Sequence, residues 1–389
     1  MGSYAKQRAR DRVAELATRG LDVEAFFREA GEAVAPAIPF ADVPCWFTLD
    51  PASLLITSSH SQDDPEVPHE WLVWEYLEDD VMKTAETARS KRGIQTLLEA
   101  SGGHPSRCRI YREHLEPYGF EHMVELALRT RTGEAWGSLS LIRERAEPEF
   151  DDEELGFLRA LAPYLAEGTR RGLLVGESAD PEGADSPGLV VLDADWQVES
   201  LSPGVERWLA ELPGHWQEEG RLPTSVVAVA ARALRTAEGV DAPGEVAIAR
   251  VLSREGRWIV LHGASLVADG ARRAAVIVEP AHPARIIPLL MAAYGLTERE
   301  QDVTRLVLRG DSTAEIADAL CLSPHTVQQH LKSVFEKTGV RSRRELVGKV
   351  FFSHYEPRVR DNEQRILADK PVRGGPFPRD SLAASANRR

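Results

Sequence analysis

A chain of 389 residues is long enough for two or three domains, each burying its own core. No apolar run approaches the roughly 18 residues that span a bilayer, and residues 1–10 lack the apolar stretch of a signal peptide, so a cytoplasmic protein with no membrane partner is expected. The formal net charge of −14 looks wrong for a nucleic-acid binder until it is divided along the chain, and Cys45, Cys108 and Cys321 are too scattered for a disulfide framework or a metal site.

Residues 1–20 read as a helical arm. From Asp22 to Ala35, Val23, Phe26, Phe27, Ala30 and Val34 fall on one helical side. Cys45-Trp-Phe-Thr-Leu and Leu54-Leu-Ile-Thr read as strands around an Asp50-Pro51 turn, followed by a helical stretch over 71–100. Strands at 123–128 and 135–142 flank Thr132-Gly133, and a long helix over 151–174 carries Phe157, Leu161 and Leu165. Helix, strands, helices, strands, long helix is an α+β order. With Trp136-Gly-Ser-Leu-Ser-Leu-Ile-Arg143 ahead of an acid-started helix, residues 21–175 resemble the GAF domains of actinobacterial regulators. That resemblance implies a sensor for a small-molecule effector or a partner protein in the cup above the sheet.

His60, His69, His104, His114 and His122 share this region with Trp46, Trp71, Trp74 and Trp136. His69-Glu70 is followed by Trp71-Leu72-Val73, so the zinc-protease pattern fails at its second histidine. No metal or cofactor is expected, and no Ser/His/Asp or Cys/His arrangement supports an enzyme.

Residues 176–187, rich in Gly, Pro, Ser and acid, read as a flexible linker. Beyond it, a hairpin at 189–201, helices at 204–209 and 224–236, and strands at 244–252, 257–266 and 274–280 resemble a second α+β module of PAS type, spanning 188–282.

The region 290–354 writes four helix starts in succession. Thr297/Glu300, Ser312/Glu315 and Ser342/Glu345 each fit the capping box, in which a hydroxyl and a Glu three residues on exchange bonds with the backbone. Ser323 followed by Pro324 is an N-cap with proline at the first helical position. Only Cys321-Leu322 separates the second and third helices, which gives a helix-turn-helix at about 313–332. Val327, Leu331, Val334 and Phe335 form the apolar stripe of the third helix, while His325, Gln328, Gln329 and Lys332 lie opposite. Gln bonds adenine bidentately and Lys reaches guanine acceptors, so that face has major-groove chemistry. Residues 323–351 also carry six cations (Lys332, Lys337, Arg341, Arg343, Arg344 and Lys349) against Glu336 and Glu345, so positive charge is concentrated here.

Leu296-Thr-Glu-Arg-Glu300, Glu315-Ile-Ala317, Leu322-Ser-Pro-His-Thr-Val327, His330, Lys337 and Gly339-Val-Arg-Ser-Arg343 resemble the LuxR/NarL (FixJ) family of bacterial helix-turn-helix regulators. The resemblance implies a four-helix, all-α DNA-binding domain, with the third helix in the major groove and the fourth forming a dimer contact. By motif position Gln328, Gln329 and Lys332 face base edges, and Thr326, His330, Lys337, Arg341 and Arg343 serve phosphate or support the helix. Where family members often carry Thr-Val-Lys, this chain has Thr326-Val327-Gln328 and then Gln329. No Gly-x-x-x-x-Gly-Lys-Ser/Thr occurs, which sets aside the large ATP-dependent relatives. Residues 357–389, rich in Pro, Gly and Arg, read as a disordered tail.

The expectation is a multidomain, homodimeric regulator binding a double-stranded operator under sensor control, with RNA polymerase as a further contact. The alternatives are a ligand- or protein-binding sensor whose helix-turn-helix serves protein contacts, or an enzyme carried by the GAF-like module.

Overall fold

The computed structural model describes residues 2–60, 69–173, 187–193, 195–214, 221–239, 246–254, 256, 258–268, 271–281, 291–292 and 294–347. The linker expected at 176–187, apart from residue 187, all of residues 282–290 and the tail at 357–389 lie outside them. The chain divides into two compact units, one holding residues 1–176 with 187–279, the other the C-terminal region from 280 onward.

The first unit opens with α1 (Gly2–Leu16) and α2 (Val23–Val34). Asp22 caps α2 by accepting from the Ala25 N–H at 2.8 Å. The stripe expected on α2 is buried to its last member. Strands β1 (Ala41–Leu49), β2 (Ile56–His60), β3 (Ile94–Thr96), β4 (Phe120–Arg129) and β5 (Ala135–Glu144) form one sheet in the order β2-β1-β5-β4-β3. The closing helix α6 (Asp152–Gly172) starts at a full capping box between Asp151 and Glu154. Helices α1, α2 and α6 cover one face of the sheet, where Val13, Leu16, Phe26, Phe27, Leu126, Leu139, Leu158 and Leu165 share a core. The first helix thus belongs to this core rather than forming a free arm. At Gly168 a Cβ would come within 2.0 Å of the Phe26 ring, so the α2–α6 contact requires glycine there.

The stretch expected to be continuously helical over 71–100 breaks into α3 (His69–Leu77), α4 (Thr84–Arg89), β3 and α5 (Leu97–Ser101). The chain leaves the helical path at Ser90 (φ −61°, ψ 147°) and turns at Gly93 (φ +66°), and Ile94–Thr96 pair with Val124–Leu126. Three residues carry too little periodicity to announce a strand; pairing with β4 creates it.

After residue 187 come β6 (Gly188–Leu192), β7 (Val198–Leu201), α7 (Val205–Glu211), α8 (Thr224–Ala237), β8 (Ile248–Leu252), β9 (Trp258–Ala268) and β10 (Ala271–Pro280). Their sheet runs β7-β6-β10-β9-β8, which is the same second-first-fifth-fourth-third order as the first sheet. Helix α8 is buried at every position from Thr224 to Ala233, because it packs on β9 and also on α3 and β2 of the first module. Asp50, at the β1–β2 turn, locks the modules together. It accepts from Arg250 Nε at 2.8 Å, Nη2 at 2.7 Å and the Arg250 N–H at 2.9 Å.

The second unit contains α9 (Glu298–Arg309), α10 (Thr313–Leu320) and α11 (Pro324–Thr338), and residues 343–347 open a further helix. Met291, Leu296, Val303, Val307, Ile316, Ala317, Val327, Leu331, Val334 and Leu346 make its core, with Phe335 partly buried beside them. The boxes at Thr297/Glu300 and Ser312/Glu315 are complete. At the last start the Ser342 hydroxyl accepts from the Glu345 N–H at 3.1 Å, but Glu345 returns its bond to the Arg341 N–H at 2.7 Å, one residue before the expected partner. Cys321 closes α10 in the left-handed conformation at φ +53°, and Leu322 N–H reaches back to Ala317 O at 2.9 Å. That reversal is what turns α11 sharply away from α10.

Candidate nucleic-acid interface

Helix α11 is held by its buried side, which fixes what its other side presents. Val327, Leu331 and Val334 enter the core, while His325, Gln328, Gln329 and Lys332 are exposed. Ser323 caps the helix, its Oγ accepting from the Thr326 N–H at 3.0 Å and lying 2.8 Å from Thr326 Oγ1. The Thr326 hydroxyl is therefore part of the cap. Gln328 Nε2 donates to Thr313 Oγ1 at 3.3 Å, and Gln329 Nε2 lies 3.2 Å from His325 Nε2. Both contacts are single and solvent-exposed, so either amide is readily given up for a better partner. Lys332 has no hydrogen-bond or ion-pair partner among the described residues and is exposed, as is Arg341. His330 is half-buried beside them.

Two of the expected cations are committed elsewhere. Lys337 Nζ donates to Glu300 Oε2 at 2.6 Å, and Ser333 Oγ donates to Glu300 Oε1 at 2.6 Å, tying α11 to the start of α9. Burial works to raise the Glu300 carboxyl, but the bonds from Lys337, Ser333 and the Thr297 N–H outweigh it and hold the group below the usual carboxylate range. Arg343 Nη1 donates to Asp311 O at 2.9 Å and Nη2 to Thr313 Oγ1 at 2.8 Å, pinning the opening of the last helix to the start of α10. Thr313 and Glu300 were missed in the sequence as functional partners. Both sit in cap sequences whose local roles hid these distant bonds.

A stability prediction follows from Glu300. Lys337→Met should leave a buried carboxylate without its cation and cost the C-terminal unit about 2 kcal/mol near pH 7. A carboxyl held low contributes stability above its unfolded value and loses it as pH falls through the folded value. The gap between wild type and variant should therefore close below about pH 4.5, which thermal unfolding across pH measures.

Among the described residues no group of three or more His, Cys, Asp or Glu side chains is placed to hold a metal ion, and no helix is long and apolar enough to cross a membrane.

The family model for bacterial regulatory proteins of the luxR family matches residues 295–350, and the GAF-domain model matches residues 22–167. The spore germination protein GerE of Bacillus subtilis is 38% identical over 52 residues, covering 13% of this chain and 70% of GerE. The HTH-type transcriptional regulator Rv0890c of Mycobacterium tuberculosis is 52% identical over 52 residues, 13% of this chain. The chain spans only 6% of that curated relative's length. The crystal structure of SdiA from Escherichia coli covers 88% of this chain and 96% of its own at 14% identity, with a TM-score of 0.29, too distant a likeness to argue from.

Proposed function

The chain belongs to the LuxR family of bacterial regulatory proteins, and from that premise we propose that it is a DNA-binding transcription regulator whose helix-turn-helix is controlled by its N-terminal sensor modules. The observation that carries this reading is the outward face of α11, where Gln328, Gln329 and Lys332 stand exposed on a helix immobilised by its opposite side. Residues 21–175 serve as the GAF sensor. The module at 188–282 is read as PAS-like, supported by its strand order and by helices α7 and α8 packed on the sheet.

Gln328, Gln329 and Lys332 read base edges in the major groove. Thr326, His330 and Arg341 face the phosphate backbone, while Lys337 and Arg343 set the angle of the reading helix through Glu300, Asp311 and Thr313. One short helix offers few base contacts, so a two-fold dimer reading half-sites about 10 base pairs apart is the working species. Val347, 37% exposed at the opening of the last helix, is the described residue best placed to form that dimer contact; Val350 and Phe351, apolar residues that follow it in the sequence, lie outside the described residues.

Gln329→Ala should cost about 1–3 kcal/mol on the preferred site and relax preference at one base pair. Competition binding against single-base variants of the operator reads this directly. If the Gln328→Ala/Gln329→Ala double variant kept the wild-type base preference, the assignment of the α11 face would fall.

A further inference from the structure

The sheet face turned away from the α1–α2–α6 core carries polar groups that the fold leaves unsatisfied. By register, Ser59, Phe47, Ser138 and Ala127 form one row across β2, β1, β5 and β4. Cys45, Ser140, Glu125 and Gln95 form the next across β1, β5, β4 and β3. Trp136 stands two residues before Ser138 and so shares its side of the sheet. Helices α3 and α4 cover this face. Trp71 stacks on Phe47 with ring centroids 5.3 Å apart, Glu75 accepts from the Thr84 N–H at 2.9 Å, and Thr87 Oγ1 donates to Glu125 at 3.3 Å.

Glu75 and Glu125 are both buried, and Lys83 lies against Glu75, its Nζ donating to the carbonyls of Trp74 and Glu75 at 2.6 Å each. Burial pushes the Glu125 carboxyl up to about 7 and raises Glu75 as well, the Lys83 charge offsetting part of the latter. Beside these acids, the Trp136 Nε1, Ser138 Oγ and Ser59 Oγ atoms are buried without a hydrogen-bond partner among the described residues. Trp136 is 0% and Ser138 1% exposed. Buried polar atoms are rarely left unpaired, so three on one face, beside an acid with no cation of its own among the described residues, mark a place where something else bonds.

The charge and the rings choose among ligand classes. An anion would make either buried acid still harder to ionise. A purely apolar molecule would leave the three orphan groups as they are. An organic cation meets Glu125 and is also attracted to the faces of Trp and Phe. We propose that the cup under α3 and α4 is the signal site, and that it takes a small organic cation bearing a hydrogen-bond acceptor, the cation at Glu125 and the acceptor at Trp136 Nε1 and Ser138 Oγ. This deepens the regulator reading above and rests on it. Helix α3 also carries the consequence outward: Glu75 faces the cup, while Tyr76 and Asp79 hold α8 through Arg235 Nη1 to Tyr76 O at 3.4 Å, Arg235 Nη2 to Asp79 at 2.9 Å and the Arg232 guanidinium 5.9 Å from the Tyr76 ring. Any shift of α3 on binding acts directly on the second module.

The test uses three molecules of one shape, tyramine, tyrosol and 4-hydroxyphenylacetate, which end in an ammonium, a hydroxyl and a carboxylate. Titration calorimetry on the full chain should give binding in that order, tyramine at least about tenfold tighter than the carboxylate. Glu125→Gln should remove the preference for tyramine, and Trp136→Phe, which deletes the N–H while keeping a ring, should weaken it several-fold. Equal affinity for the three probes, no heat from any of them, or tyramine binding unchanged in both variants would overturn the site. Operator selection on the untreated wild-type chain tests the regulator reading separately, so a failed cup and a failed regulator give different results.

Discussion

Replacing Arg250 by leucine should destabilise the first unit by about 3–5 kcal/mol, the cost of stranding a buried charge. Asp50 is 0% exposed at its side chain, and it accepts two further N–H bonds from its own turn, Ala52 at 2.9 Å and Ser53 at 3.3 Å. Those turn bonds and the bond from the backbone N–H of residue 250 survive the substitution, but the two charge-assisted bonds from the Arg250 guanidinium do not. A carboxylate left there has neither water nor a cation. The Asp50→Asn/Arg250→Leu double variant removes the charge along with its partner and should recover most of the loss. Chemical denaturation of wild type, Arg250→Leu, Asp50→Asn and the double variant completes the cycle. Similar, sub-kcal effects in all three variants would mean that the clamp does not hold the modules together.

Glu125→Gln should act with the opposite sign. A carboxyl raised by burial from its ordinary value of 4.5 to about 7 binds its proton more tightly in the folded chain. Stability is therefore lost as pH rises from about 4.5 to 7 and stays lost above that. At pH 8 the penalty is about 3 kcal/mol, by 1.36 kcal/mol per unit. Glutamine keeps the shape and can still accept from Thr87, so the variant should gain about that much over wild type at pH 8 and almost nothing near pH 4. Unfolding midpoints across this range check it; a gain independent of pH would show that Glu125 is not ionised against its burial.

How far the sequence spoke depended on the range of the interaction. Capping at Thr297, Ser312 and Ser323 is complete within four residues, so these helix starts could be read directly. The α2 stripe was equally plain, because five apolar residues at helical spacing leave one side to bury. Strand β3 was not readable, since Ile94–Thr96 become a strand only against β4. The contact between Asp50 and Arg250 joins residues 200 positions apart with no local signature. For Lys337 and Arg343 the sequence left phosphate contact and helix support both open, because spacing reveals charge but not its partner; Glu300 and Thr313 become partners only when the helices pack. The orphan trio of Ser59, Trp136 and Ser138 required the register of three strands before its members could be seen on one face.

The central claim is tested most directly by selecting bound sequences from random duplex DNA with the full chain, then measuring affinity for the enriched sequence over a range of salt. A two-fold sequence with half-sites about 10 base pairs apart should emerge, and log K should fall linearly with log salt as Lys332, Arg341 and neighbouring cations release counterions from phosphate. Lys332→Ala should then weaken binding to that sequence. Recovery of no defined sequence, or an affinity for DNA that ignores salt, would contradict the assignment of this chain as a DNA-binding regulator.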